Sequence, residues 1–442
     1  MSSENTALEA TRTEPSVLDS LKRSVVWNYG GTFFFYFFGW QLVFTFMGLW
    51  LKAEGMNSTN IGLVSTVMAL VAMGLQPIYG YTQDRLGFRK PLYSFVVVCA
   101  ALMGPFFQFV FKPLIGVDET LAAVVGGVYL SLVLMSGVSV VEAFNERASR
   151  ANGFEYGHAR LFGSLGGATA SLVGGVIYAG NPDNVWWAAS LAALVLGVLL
   201  FLAKVPHQAP EGHRSEADAS AHKVSKATVL RLLKDRSFLG FVVLMFGTAA
   251  LYDVFDQQYA IYFSEHVLHG DPETLFSRVV FIQILCEAVV MVFTPWIVNR
   301  IGAKRGLQIF AGILVLRVLG SAFVTTTEAL IAWRLLAAIE MPFMLVSVMK
   351  YITRMFDVKI SATAYTLGFG FAKALGVAVF SLTFGYAYDT IGFSSAYVVM
   401  AISIALITGV ASLLMGDDKG REAPTGELAD GADDEEAAPV GV

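Results

Sequence analysis

Twelve apolar blocks, each about 20 residues long, restrict the possible folds more than any other feature of this sequence. A helix of about 20 apolar residues spans the hydrocarbon core of a bilayer. Hydrophobic residues make up 55% of the 442 residues and charged residues only 15%, which is too apolar for a soluble protein of this length. We therefore predict an all-α polytopic membrane protein. Its twelve transmembrane helices are predicted at residues 27–51, 60–82, 91–112, 121–144, 159–180, 185–203, 238–263, 276–298, 306–324, 329–350, 361–387 and 394–415.

Lysine and arginine are concentrated in the loops after the even-numbered predicted helices. Arg85, Arg89 and Lys90 follow the second helix, for example, and Arg300 and Lys304 follow the eighth, whereas the alternate loops hold few basic residues. Cytoplasmic loops carry the excess of positive charge in membrane proteins. Both termini are therefore predicted to be cytoplasmic, in a multi-pass protein of the plasma membrane.

The longest polar connection separates six predicted helices from six. Residues 84–90 after the second helix are echoed by residues 299–305 after the eighth, which indicates an internal repeat. Two repeated six-helix halves are typical of secondary transporters. The predicted segments are a cytoplasmic N-terminal segment (1–22), an N-terminal six-helix bundle (23–203), a cytoplasmic linker (204–237), a C-terminal six-helix bundle (238–415) and an acidic disordered tail (416–442).

Nine of the charged residues within predicted helices four to eleven form the set considered for the site. Each costs about 2.5–3.5 kcal/mol to insert near the centre of a membrane helix, so as a set they are expected to face a polar cavity. The set has one acid more than it has bases. The acids are Glu142, Asp253, Asp256, Glu287 and Glu340, and the bases are Arg160, Arg317, Arg334 and Lys373.

Several motifs resemble those of one transporter family. The loop after the second helix is similar to the loop 2–3 signature of the major facilitator superfamily, and the matching residues, which the resemblance assigns to gating, are Gly80, Asp84, Arg85, Gly87, Arg89 and Lys90. The closer resemblance is to the oligosaccharide:proton symporter family, the lactose and sucrose permeases. It rests on Val141–Phe144, Phe154–Arg160, Tyr252–Gln258 and Phe356–Thr363. It implies a major facilitator fold and the import of a di- or oligosaccharide, sucrose-like or galactoside-like, with a proton by alternating access.

Glu142 and Arg160 are the pair that we assign to the substrate. The loop between helices four and five returns the chain antiparallel, so the two side chains can converge. A carboxylate and a planar guanidinium suit adjacent sugar hydroxyls, and in the resembled family the matching residues hold the sugar. The alternative is a charge pair that only ties two helix ends together. The full predicted substrate-binding set is Phe37, Trp40, Glu142, Arg160, Ser164, Tyr252, Gln283 and Glu287.

The resemblance also assigns roles to the remaining charges. It pairs Asp253 with Lys373 and Asp256 with Arg334, which we interpret as structural pairs that make burial tolerable. It makes Glu340 the proton site and Arg317 the group that drives proton release. Glu287 is the other candidate proton carrier, because Glu287 and Glu340 are left to share Arg317.

Two residues depart from the family pattern. Gly167 stands where the family has an aromatic side chain that stacks on the sugar, and Trp40, with Phe37 and Gln41, could replace that platform from helix one. Ala337 stands where the family has a histidine in helix ten. Proton coupling must then run through another group, so a proton-independent sugar facilitator stays open.

Other function classes remain as alternatives. A nucleoside:proton symporter would also have an aromatic-rich cavity, and a membrane sugar sensor would need an additional domain. An enzyme is not expected, because no nucleophile, metal cluster or phosphate-binding loop stands on these helices. We expect no cofactor, no metal and no nucleic-acid partner; the expected partners are a sugar, a proton and the lipid bilayer, and the expected state is a monomer.

Overall fold

The structure, a computed structural model, describes residues 22–203, 232–267, 270–324, 326–356 and 358–419. Nearly all of the predicted N-terminal segment, most of the predicted linker and all of the predicted tail after residue 419 therefore lie outside the described residues. The described part of the chain is almost entirely helical, in agreement with the predicted fold class.

The membrane-spanning helices are long and joined by short connections. The last helical stretch, Ile360–Leu414, has 55 residues, a length of about 80 Å, which is more than twice the thickness of a bilayer core. Gly392 interrupts it with a φ of 76°, so it supplies two spans. The helices are α1 Ser24–Ala53, α2 Ser58–Leu86, α3 Pro91–Ala101 and Met103–Ile115 with a 48° bend between them, α4 Glu119–Asn152, α5 Tyr156–Gly180, α6 Asn184–Leu202, α7 Arg236–His266, α8 Pro272–Ile301, α9 Ala303–Ala322, α10 Thr327–Met355, α11 360–391 and α12 393–414.

Capping residues explain why several helices begin a few residues before the apolar blocks. The side chain of Asn57 accepts a hydrogen bond from the backbone N–H of Asn60 at the start of α2. Asp118 caps α4, and Asp235 caps α7. Such caps satisfy backbone donors that have no partner within the helix, so polar residues extend each helix beyond its membrane-spanning portion.

In the described part of the chain, four π-helical turns interrupt the spans. They lie at Phe107–Phe111 in α3, Ser131–Met135 in α4, Met245–Ala249 in α7 and Thr366–Phe371 in α11. Each turn inserts a residue and so rotates the side chains that follow it. Those in α4 and α7 come shortly before the charged residues Glu142 and Asp253, and therefore help to set the direction of these side chains.

The described residues form two compact units. The first contains residues 22–203 and 270–281, and the second contains residues 232–267 and 282–419. This division differs from the predicted bundles at the start of α8. The first turns of α8 belong to the first unit because Ser277 Oγ accepts a hydrogen bond from Gly175 N at 2.9 Å and donates to Ser171 O.

Aromatic packing in the first unit fixes the ends of α4 and α5. Tyr93 of α3 and Phe144 of α4 are fully buried, and their ring centroids lie 5.3 Å apart, edge to face. The buried Phe33 of α1 contacts the ring of Tyr156 in the same geometry at 5.8 Å. These contacts hold the two segments that carry Glu142 and Arg160.

Candidate functional site

In the first unit, Glu142 and Arg160 form an ion pair. Arg160 Nε lies 2.8 Å from Glu142 Oε1, and both side chains are about one third exposed. The second oxygen of the Glu142 carboxylate accepts a hydrogen bond from the Tyr156 hydroxyl. The chain can return between α4 and α5 because Gly153 adopts a left-handed conformation with a φ of 61°. The carboxylate is thus held by two donors from one turn of α5.

The guanidinium of Arg160 is oriented by neighbours that the sequence alone did not identify. Its Cζ lies 4.1 Å from the centroid of the Phe37 ring and 5.6 Å from that of Phe33, a cation–π geometry. A Cβ atom on Gly163 would lie only 2.8 Å from Arg160 Nη1, so a larger residue there would displace the guanidinium from its present position. Within the described chain, neither Nη atom of Arg160 donates to a protein group. Both remain available to a ligand.

Two other predicted substrate residues of the first unit lie elsewhere. The Trp40 ring contacts Phe44, with centroids 4.2 Å apart, and lines a small internal cavity with Tyr36, Met103 and Ala189. The residues that line this cavity come from α1, α3, α4 and α6 and none comes from α5. The Trp40 ring also lies 6.3 Å from that of Phe37, centroid to centroid. Ser164 lies on α5 with its side chain exposed.

In the second unit, the acids of α7 are paired with bases from other helices. Lys373 Nζ of α11 lies 3.0 Å from Asp253 Oδ2. Arg334 Nη1 of α10 lies 2.7 Å from Asp256 Oδ1. The same oxygen of Asp256 also accepts from Arg317 Nη1 of α9 at 2.8 Å. This third pairing was not predicted, because the sequence gives no sign that one carboxylate serves two arginines.

Arg317 and Glu340 are both fully buried and form an ion pair with two close N–O contacts, of which the one through Nε is a hydrogen bond. Arg317 Nε lies 2.9 Å from Glu340 Oε1, and Nη2 lies 2.8 Å from Oε2. The rings of Tyr252 and Phe255 flank the guanidinium, with their centroids 5.3 and 4.7 Å from Cζ. Glu340 therefore lies in a charged environment, with Arg317 as its direct partner. Tyr252, predicted to bind substrate, lies beside this pair.

Of the nine charged residues singled out in the sequence, Glu287 on α8 is the one without an ion pair within 4.0 Å in the described chain. Gln283, one turn earlier, is buried, and its Oε1 lacks a hydrogen-bond partner in that part of the chain. We expected Glu287 and Glu340 to share Arg317, but Arg317 contacts Glu340 and Asp256 instead. The excess acid predicted from the charge count is therefore Glu287 in this structure.

The α2–α3 loop motif contacts other elements of the first unit. Arg147 at the end of α4 pairs with Asp84 and donates to Gln83 O at 2.7 Å. Lys90 Nζ donates to Leu200 O and Ala203 O at the end of α6, at 2.6 and 2.7 Å. Burial lowers the pKa of Lys90. The remaining motif residues are Gly80, Arg85, whose Cζ lies 4.5 Å from the centre of the Tyr81 ring, Gly87, with a φ of 57°, and the exposed Arg89.

The repeat of this motif in the second unit is contacted by Asp418, which the sequence analysis placed in the disordered tail. Asp418 is fully buried; it accepts from the backbone N–H groups of Ala303 and Lys304 at 2.7 and 2.8 Å and from Arg354 Nη1 at 3.0 Å. Arg354 also donates to Asn299, which stands at the repeat position of Asp84. The prediction of a tail that is disordered from residue 416 is therefore wrong for residues 416–419. The tail was judged by its overall acidic composition, which does not reveal that Asp418 at its start is buried.

Among the described residues, no group of three or more metal-binding side chains is present. The carboxylates and arginines at these sites can form hydrogen bonds, and the carboxylates can also take up and release protons.

Comparisons with known proteins agree with these features. Residues 18–423 match a family model described as the LacY proton/sugar symporter. The raffinose permease of Escherichia coli is 36% identical over 412 residues, covering 92% of this chain and 96% of the relative. The melibiose permease of Enterobacter cloacae is 37% identical, covering 91% and 95%, and the sucrose permease of Escherichia coli is 30% identical, covering 88% and 94%.

Solved structures show the same fold at much lower identity. The nucleoside transporter NupG superposes with a TM-score of 0.71 at 14% identity, covering 89% of this chain and 99% of that one. A D-xylose-proton symporter superposes with a TM-score of 0.64 at 16% identity, covering 92% and 100%. The protein has the fold of the major facilitator transporters and belongs to the LacY proton/sugar symporter family.

Proposed function

We propose that the protein imports a di- or oligosaccharide together with a proton by alternating access. The observation that carries the proposal is the Glu142–Arg160 pair, whose guanidinium has both Nη atoms free for a ligand within the described chain. The names of the relatives support the substrate class, since they include permeases of raffinose, melibiose and sucrose.

Sugar recognition follows from the geometry of this pair. Arg160 uses Nε to hold Glu142 and can offer both Nη atoms, as a rigid planar fork, to two neighbouring hydroxyl oxygens. Glu142 can accept from a sugar hydroxyl, because a carboxylate has about four lone-pair sites and only two are used by Arg160 and Tyr156. A sugar supplies adjacent hydroxyls that both donate and accept, and so it satisfies both partners.

We propose Glu340 as the residue that binds and releases the coupled proton. Arg317 contacts both Glu340 and Asp256. When Glu340 takes up a proton, Arg317 retains Asp256 as its ion-pair partner, so no buried arginine is left without a counter-charge. Proton release is then favoured by the direct contact between Arg317 and Glu340. Glu287, which has no ion pair in the described chain, is the alternative carrier.

The pairs Asp253–Lys373 and Asp256–Arg334 have a structural role in this proposal. They join α7 to α11 and α10 across distances of 3.0 and 2.7 Å. Their main effect is to neutralise charges that would otherwise be costly to bury. We further propose that both termini are cytoplasmic and that the protein acts as a monomer in the plasma membrane.

The variant Arg160→Lys tests the sugar site. Lysine keeps the charge and loses the planar fork, so we expect a roughly 10- to 100-fold loss of sugar affinity, equivalent to about 1.5–3 kcal/mol for hydrogen bonds to a charged group. Arg150→Lys is the matched control, because Arg150 forms only an exposed pair with Glu146. Near-normal affinity of Arg160→Lys for every sugar tested would remove Arg160 from the site.

Transport in membrane vesicles tests the coupling. We expect uphill accumulation of raffinose, melibiose, lactose or sucrose when an inward proton gradient is imposed, and only equilibration without it. Competition by nucleosides, and none by sugars, would replace the proposal with nucleoside transport. Sugar uptake that never exceeds equilibrium would make the protein a facilitator.

A further inference from the structure

Helices α1 and α5 pack against each other in the first unit, and we call the part of this contact between Arg160 and Gln41 the α1–α5 face. Phe37 and Gln41 line it from α1, and Arg160, Gly163 and Gly167 line it from α5. Phe37 and Gln41 are four residues apart, and Gly163 and Gly167 have the same spacing, so each pair lies on one face of its helix. Gln41 therefore lies about one helical turn, roughly 6 Å, from the ring that supports Arg160.

Gln41 is the polar side chain that faces Gly167. A Cβ atom on Gly167 would lie 3.7 Å from Gln41 Cβ and 3.8 Å from Cγ and Oε1. Gln41 Nε2 donates to Thr45 Oγ1 at 2.9 Å, which fixes the orientation of the amide. Oε1 has no hydrogen-bond partner within the described chain. Gly167 therefore presents no side chain toward this oriented acceptor.

The neighbouring aromatic residue does not compete for this position. Trp40 packs on Phe44 and lines the internal cavity with residues of α3, α4 and α6. The α1–α5 face thus carries two polar groups, the Arg160 guanidinium, which is paired with Glu142, and the Gln41 amide. Gln41 lies about one helical turn along α1 from Phe37, which supports Arg160, and this distance is close to the length of one sugar ring.

We propose that Gln41 is a second sugar-binding residue, which hydrogen-bonds the ring next to the one held by Glu142 and Arg160 and so selects for substrates of two or more rings. This inference rests on the proposed sugar transport and adds a specificity determinant to it. Oε1 accepts from a hydroxyl of the second ring, and the remaining hydrogen on Nε2 donates to another.

A series of sugars with one, two and three rings tests this assignment. Methyl α-D-galactopyranoside, melibiose and raffinose share a galactosyl ring and differ in length, and their binding to the purified protein is measured by calorimetry. Gln41→Leu keeps the size of the side chain and removes the amide. We expect affinity for the one-ring sugar to change less than 2-fold, and affinity for melibiose and raffinose to fall roughly 5- to 30-fold, the loss of one or two hydrogen bonds.

Two further variants make the test specific. Gly167→Leu covers the amide without removing it and should give the same pattern. Gln308→Leu is the matched control, because Gln308 lies in the second unit and bonds only Ser412, and it should leave all three affinities unchanged.

The possible outcomes separate this inference from the proposed function. Equal loss for all three sugars in Gln41→Leu, or no loss for any of them, would overturn the role of Gln41, while a loss of sugar binding in Arg160→Lys would still support the proposed function. If wild-type protein binds none of the sugars, or Arg160→Lys binds them normally, both proposals fail.

Discussion

Asp418→Asn is the substitution whose effect can be worked out most fully from the structure. The carboxylate of Asp418 caps α9 by accepting from two backbone N–H groups, and it pairs with Arg354. A partly buried carboxylate at a helix N-terminus contributes up to about 2 kcal/mol, and leaving a fully buried charge without its partner costs about 3–5 kcal/mol. Arg354 is 20% exposed and asparagine keeps one acceptor, so we expect a loss of about 2–3 kcal/mol in the free energy of unfolding.

The pH dependence of this effect has a defined sign. Burial alone would raise the pKa of Asp418, but the N–H groups of Lys304 and Ala303 together with Arg354 outweigh it and hold the pKa below its ordinary value. Because the folded pKa is lower than the unfolded value of about 3.9, the stabilisation is present above that value and is lost as the pH falls through the folded pKa. The difference between wild type and variant should be constant from pH 8 to 5 and shrink below about pH 4.

Thermal unfolding in detergent measures this prediction. A loss of 2–3 kcal/mol corresponds to a decrease in the apparent midpoint of about 4–12 °C for a unit of some 200 residues. Asp417→Asn is the matched control, because Asp417 is exposed and accepts only from Lys419 N, and its midpoint should equal that of the wild type. If Asp418→Asn is as stable as Asp417→Asn at neutral pH, the contacts of Asp418 do not stabilise the fold.

Three other substitutions test the roles proposed for Glu340, Asp253 and Arg160. Glu340→Gln should abolish proton-driven accumulation of sugar but retain equilibrium exchange, and uphill accumulation in this variant, measured in vesicles, would exclude it as the proton carrier. Asp253→Asn should leave the Lys373 ammonium without its counter-charge and lower the free energy of unfolding by about 1–3 kcal/mol. Neutralising both residues should restore much of this loss in a thermal unfolding assay, and a double variant as unstable as the single one would contradict the pairing. Gly163→Val should push the Arg160 guanidinium away from its present position, since even a Cβ atom would lie 2.8 Å from Nη1, and should weaken sugar binding roughly 10-fold; unchanged affinity in a titration would show that this position is not needed.

The helices and the fold class could be predicted because they follow from local features of the sequence. A span needs about 20 apolar residues in succession, and each predicted block lies within or largely overlaps a helix of the structure. Helix ends were less accurate, because caps such as Asp118 and Asp235 extend the helices into polar sequence. The break at Gly392 was placed in the short gap between the last two predicted helices, and the structure has it there.

The candidate site could be predicted only in part. The charge count identified one excess acid. The two pairs proposed from the sequence, Asp253–Lys373 and Glu142–Arg160, both lie at ion-pair distance. The direction in which a side chain points depends on tertiary packing, so the sequence did not show that Trp40 packs inside the first unit.

Long-range contacts could not be predicted from the sequence, because they also depend on tertiary packing. Asp418 caps a helix that begins 115 residues earlier in the chain, and Arg317 serves two carboxylates from different helices. A local clue existed for Asp418 in hindsight, because Asn299 replaces the acid that Asp84 supplies in the first copy of the repeat. A missing charge in one copy of a repeat is therefore a reason to look for its replacement elsewhere.

Sugar-dependent proton uptake by the wild-type protein is the measurement that decides whether sugar and proton move together. Purified protein is reconstituted into proteoliposomes without a membrane potential or pH gradient, melibiose or raffinose is added outside in excess, and the external pH is followed with an indicator dye. If the protein is a proton symporter, the external solution becomes more alkaline as sugar enters and the proton flux is proportional to the sugar flux. If Glu340 carries the proton, Glu340→Gln abolishes the pH change. Sugar entry into the proteoliposomes without any change in external pH would contradict proton symport.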